Sequence, residues 1–148
     1  MQRSARGIEV RYTLTGDLDR LRMPEPSLPR FADNLWQHTC FELFVRDERS
    51  DAYLEFNFAP SGEWAAYAFD AYREGMRRID ATPRIACSRS GDAFVLDAMV
   101  PAQMIAGADF ALSAVVEELD GTLSYWALRH PSGKPDFHHR DAFALHLP

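Results

Sequence analysis

At 148 residues the chain has the length of one domain and can bury a core without disulfide or metal staples. A net charge of −6 at pH 7 argues against a nucleic-acid backbone as partner. No run approaches the roughly eighteen apolar residues of a membrane span, and MQRSARGIEVRYTLTGD at the start has no apolar signal segment, which points to the cytoplasm.

Residues 1–148 are read as a single domain. Ile8, Val10, Tyr12 and Leu14 alternate with polar residues up to Gly16-Asp17, the pattern of a strand. From Leu18 to Asn34 the prolines at 24, 26 and 29 forbid a regular strand or helix, so this segment is expected to wrap an edge or an end of the sheet. Phe41, Leu43 and Val45 alternate with Cys40, Glu42 and Phe44, and Leu54, Phe56 and Phe58 with Tyr53, Glu55 and Asn57. The period is two, and the polar stretch Arg46 to Ala52 suits an antiparallel hairpin loop. Pro60-Ser61-Gly62 turns the chain so that Trp64 to Phe69 returns beside the second of these strands. Phe94 to Val100 reads as a further strand, followed by one helical turn starting at Pro101. Asp120-Gly121 predicts a two-residue hairpin turn that sets Val115 near Trp126 and Val116 near Tyr125. A polar loop from Arg129 to Asp141 leads to a last strand alternating Phe143, Leu145 and Leu147.

About nine strands with minimal helix predict an all-β fold, a two-sheet antiparallel β-sandwich. Phe41, Leu43, Phe56, Phe58, Phe143 and Leu145 are its expected core. With only Cys40 and Cys87, and Cys40 on a strand, free thiols are expected rather than a bridge.

Placing the apolar sets of the two central strands on one face forces Glu42, Glu55 and Asn57 onto the other. An antiparallel sheet commonly shows one face to water, and alternating glutamates are then merely solvated. This face, however, also carries Phe44, Tyr53 and, after the next turn, Tyr67. Aromatic rings among hydrogen-bonding groups are what a flat polar ligand such as a sugar needs, because a ring stacks on the C–H face of a pyranose while carboxylates and amides meet its hydroxyls.

Three blocks, LWQHTCFELFV, YLEFNFAPSGEWAAYAF and SYWALRHPSGKPDFHHRDAFAL, together resemble the bacterial DOMON-like domains, relatives of the family 9 carbohydrate-binding modules. The resemblance runs from about Ile8 to Leu147, with Glu55, Phe56, Asn57, Phe58, Ala59, Pro60, Ser61 and Gly62 as its most specific element. It implies a jelly-roll or immunoglobulin-like sandwich whose members bind sugars or haem, and some relatives of this subgroup are fused to a UDP-N-acetylenolpyruvoylglucosamine reductase. In the sugar-binding modules an aromatic platform is followed by a cleft carboxylate. Trp36 and Glu42 stand in similar relative places here, with Trp126 as a second platform or, alternatively, a tryptophan packed between the sheets.

The sequence therefore points to non-catalytic binding of a carbohydrate or sugar-nucleotide fragment through Trp36, Glu42, Glu55, Asn57, Tyr67 and Trp126, with Lys134, Asp136 and His139 as rim contacts. Haem binding is the first alternative, needing axial donors of the Met and His type. Met23, Met76, Met99 and Met104 have no clear histidine partner. An interaction scaffold without a small ligand is the second. No metal site is expected, since adjacent His138 and His139 point opposite ways on an extended chain. Nor is an enzyme, because directly opposed Glu42 and Glu55, with Cβ atoms ~5 Å apart, would leave little room for a sugar between acid and base. At least one arginine or lysine, with Arg73, Arg77, Arg78 and Arg84 downstream as candidates, or the Tyr53 and Tyr67 hydroxyls, is expected to reach these carboxylates, since buried charge needs a partner. Oligomeric state is not encoded in any motif found.

Overall fold

A computed structural model of the chain describes residues 1–101 and 109–147. The helical turn expected after Pro101 lies outside them. The strands among the described residues are β1 (Gln2–Ser4), β2 (Gly7–Thr15), β3 (Cys40–Arg46), β4 (Tyr53–Phe58), β5 (Trp64–Phe69), β6 (Arg77–Arg78), β7 (Arg84–Ser90), β8 (Ala93–Pro101), β9 (Asp109–Glu117), β10 (Leu123–Ala127) and β11 (Leu145–His146). They form two antiparallel sheets, one of four strands in the order β1-β2-β8-β7, the other of seven in the order β10-β9-β3-β4-β5-β6 with β11 also paired to β9. Between them lies the main core, with Ile8, Val10, Leu96 and Val100 from the smaller sheet against Phe41, Leu43, Phe56, Phe58 and Phe110 from the larger. The chain is thus the predicted β-sandwich, and Tyr12 ties the layers by donating its hydroxyl to the backbone carbonyl of Glu42 at 2.7 Å.

Three strands lie beyond the alternating segments read from sequence, and each has a local reason. β7 is an edge strand whose residues are exposed apart from a half-buried Ile85, so it carries almost no apolar signal. β1 and β6 are two or three residues long, with side chains largely in water. At the other end of the chain the expected strand from Phe143 shrinks to Leu145–His146, because a 3-10 turn at Arg140–Ala142 immediately precedes it. Phe143 and Leu145 are accordingly half-buried rather than core, whereas Phe41, Leu43, Phe56 and Phe58 are buried as expected.

The proline-rich segment crosses the end of the larger sheet. It bonds to the β9–β10 end through Arg22 N–H and the Glu117 carbonyl (2.8 Å), and to β5 through Ala32 N–H and the Trp64 carbonyl (2.9 Å). The two cysteines are unpaired, Cys40 buried on β3 and Cys87 exposed on β7.

The outer face of the larger sheet is not a solvent face. Every residue of β5, and all of β3 but Arg46, is buried, which an alternating strand achieves only when both faces are covered. A second apolar cluster of Phe44, Tyr53, Tyr67, Phe69 and Val115 lies there, with Phe137 and Ala142 brought over it by the loop that follows β10.

Candidate functional site

That second layer is incomplete, and its gap is a cleft of about 570 Å³ lined by Asp33, Asn34, Trp36, Glu42, Glu55, Tyr67, Phe69, Arg73, Met76, Val115, Tyr125, Pro135, Asp136, Phe137 and His138. The floor comes from β3 and β4. Strand parity turns Glu42, Glu55 and Asn57 outward, and pairing sets Glu42 opposite Asn57 and Glu55 opposite Phe44. The two glutamates are therefore diagonal neighbours rather than directly opposed, with backbones ~7–8 Å apart. This corrects the expected face-to-face arrangement.

Both carboxylates are buried, Glu42 to 3% exposure and Glu55 to 5%. Asn57, fully buried between them, donates its amide to Glu55 Oε1 at 2.7 Å and accepts the Cys40 thiol at 3.6 Å. Asn57 thus supports the floor from beneath rather than lining the cleft. Ser113 on β9 donates to Glu42 Oε2 at 2.8 Å. The expected arginine, lysine or tyrosine partner is replaced by these two neutral donors. The Tyr67 hydroxyl donates instead to Asp33 (2.6 Å), and Arg73 ion-pairs with Asp136 (3.0 Å) and acts on the glutamates only through its field.

Loss of water around Glu42, reinforced by the charge of Glu55, pushes its carboxyl up to about 8, against the pull of Ser113 and Arg73. Burial also raises Glu55, with Asn57 and Arg73 opposing. Burial and then the Arg73 charge lower His138 to about 4, so its ring is neutral at ordinary pH. Tyr53 shares a 2.7 Å hydrogen bond with His138 Nδ1 and accepts the Arg73 backbone N–H at 3.2 Å. With its own proton given to Nδ1, Tyr53 leaves the imidazole proton on Nε2, which lies 3.7 Å from Glu55 Oε2.

Trp36, on a 3-10 turn at Leu35–Gln37 just before β3, is half exposed (50%) and lines the cleft, as does Tyr67 from β5. Two further cleft residues, Asn34 (φ 61°) and Arg73 (φ 56°), are the non-glycine residues with left-handed backbone among those described. Such conformations cost free energy and gather at functional sites.

Trp126, Lys134 and His139 lie elsewhere. The β9–β10 hairpin has a three-residue loop, Leu119-Asp120-Gly121, closed by Gly121 N–H to the Glu118 carbonyl (2.9 Å) and Glu118 N–H to the Thr122 carbonyl (2.8 Å), with Gly121 at φ 88°. A type I turn followed by a left-handed glycine adds one residue to the expected two-residue loop. One residue of slip turns every side chain over. Tyr125 pairs with Val115 and lines the cleft, while Trp126 pairs with Ala114, on the opposite face, and is 62% exposed. It is not core, and it lines a separate concavity with Tyr12, Leu14 and Phe41. Lys134 is exposed, and its neighbour Pro135 lines the cleft in its stead. Of the two adjacent histidines it is His138 that enters, packing its ring 5.2 Å from Phe44 and from Phe69. His139 turns outward and caps the Arg140–Ala142 turn by accepting the Asp141 N–H.

Sequence reasoning missed Tyr125 and His138, and placed Arg73 among the candidate partners of the glutamates. The parity of 138 against 139 carried no local signal. Met76 and His138, as donors of the haem-ligating type, do share the cleft, but both imidazole nitrogens of His138 face protein groups.

No protein-family model and no curated protein matches the sequence. The fold is similar to the crystal structure of a putative carbohydrate-binding protein from Bacteroides uniformis, with a TM-score of 0.50 and 16% sequence identity over 91% of this chain and 67% of that one. At that identity the likeness concerns the fold.

Proposed function

We propose that the protein is a DOMON-like module that binds a small polar ligand, a carbohydrate or sugar-nucleotide fragment, in the outer-face cleft without converting it. The observation that carries this reading is the cleft itself: aromatic residues Trp36, Tyr67 and Tyr125 line it together with two buried carboxylates, Glu42 and Glu55. Rings can take the C–H face of a pyranose while Glu42, Glu55, Asp33 and Asn34 meet its hydroxyls. The similarity of the fold to a protein described as carbohydrate-binding is in keeping with it. A cytoplasmic setting belongs to the same proposal.

A glycan and metabolite screen read by tryptophan fluorescence and calorimetry tests it. Binding of a saccharide is the expected result, lost in Glu55→Gln while the mutant stays folded, because the amide keeps the shape but reverses half of the hydrogen-bond polarity. A screen without saccharide hits, together with a Glu55→Gln protein that unfolds, makes Glu55 structural and ends this reading. A Soret band in the purified protein favours haem instead.

A further inference from the structure

We propose that the cleft recognises the ammonium group of its ligand, so that the saccharide it takes is an amino sugar with a free amine, seated on Glu42 and Glu55. This rests on the saccharide reading above.

The first support is the state of the carboxylate oxygens. Ser113 occupies Glu42 Oε2 and Asn57 occupies Glu55 Oε1. Glu42 Oε1 accepts no hydrogen bond among the described residues, Glu55 Oε2 has His138 Nε2 beyond hydrogen-bond reach at 3.7 Å, and both side chains line the cleft. Two nearly buried carboxylates that line the same cleft therefore each keep one oxygen without a hydrogen bond.

The second is charge. Glu42 is faced by Glu55 and Asn57 from β4, Ser113 from β9, Tyr67 from β5, Arg73 from the turn beyond β5, Asp33 from the proline-rich crossing, and Asp136 and His138 from the covering loop. Of these only Arg73 is a cation at neutral pH, and Asp136 holds it at 3.0 Å. The pair has no positive charge of its own in the protein. An anionic ligand would meet four acidic side chains against one guanidinium, and a neutral sugar would bring no positive charge to the pair. An ammonium brings three donors and the missing charge together. Trp36 and Tyr125 line the same cleft, and aromatic rings favour a cation further.

The exchange balances without covalent chemistry. Before binding, Glu42 holds a proton against the charge of Glu55. When the ammonium arrives, that proton passes to solvent, and two ionised carboxylates flank one cation. No proton leaves when a neutral sugar binds.

Calorimetry with glucosamine, glucose and N-acetylglucosamine, each near pH 7 in two buffers of different ionisation enthalpy, tests this. Glucosamine should bind at least about tenfold more tightly than either neutral sugar and release close to one proton per ligand, and in Glu42→Gln both the preference and the proton release should collapse. Neutral sugars binding as well as glucosamine would overturn this inference and leave the saccharide reading standing. Ethylamine binding as well as glucosamine would overturn the amino-sugar class and the saccharide reading with it.

Discussion

Replacing Glu42 by glutamine keeps the size of the side chain and its bond with Ser113 but removes its ionisation, so it isolates what burying that carboxyl does to stability. The group moves from an ordinary 4.5 to about 8 on folding. Below 4.5 both folded and unfolded chains hold the proton and pH has no effect through this group. Between the two values the unfolded chain releases it and the folded chain does not, so stability falls as pH rises; above about 8 the loss is complete. About 3.5 pH units at about 1.4 kcal/mol each give roughly 5 kcal/mol. His138 works in the opposite sense, since its folded value of about 4 lies under the ordinary 6.5 and stability through it is lost as pH falls across that interval. From about 6.5 to about 8 the histidine is silent and Glu42 dominates. Urea unfolding at closely spaced pH should show Glu42→Gln gaining on the wild type by about 1.4 kcal/mol per pH unit across that window. Parallel curves for the two proteins would refute the buried, proton-holding carboxyl.

Trp36→Ala should stay folded, since the ring is half exposed, and should weaken saccharide binding by ~1–3 kcal/mol in calorimetry; Trp126→Ala, on the other face of the sheet, should leave affinity unchanged. Phe56 is fully buried between the sheets, so Phe56→Ala should cost about 3–5 kcal/mol in chemical denaturation. Gly121 sits at φ 88° with open space around its Cα, so Gly121→Ala should destabilise by about 1–2 kcal/mol through conformation alone, and Gly121→Asn by less, measured by thermal melting.

Much of this fold could be read before any coordinates, because the alternation of β2, β3, β4 and β8 carries its own meaning. With a period of two, Phe41 and Phe56 going inward compels Glu42, Glu55 and Asn57 outward, and the structure keeps that parity without exception. The antiparallel sandwich and the unpaired cysteines follow from patterns equally local. Tertiary structure decided the rest. Whether the polar face met water depended on a loop from about residue 129 onward, which packs Phe137 and His138 onto an aromatic cluster of the distant strands β3, β4 and β5. One extra residue in the β9–β10 turn exchanged Tyr125 for Trp126 at the cleft, a choice made by backbone hydrogen bonds around Gly121 that an Asp-Gly pair alone leaves open. The carboxylates found their donors across strands, in Ser113 and Asn57, because partnership inside a core is a matter of register, and register is fixed only when strands far apart in sequence meet.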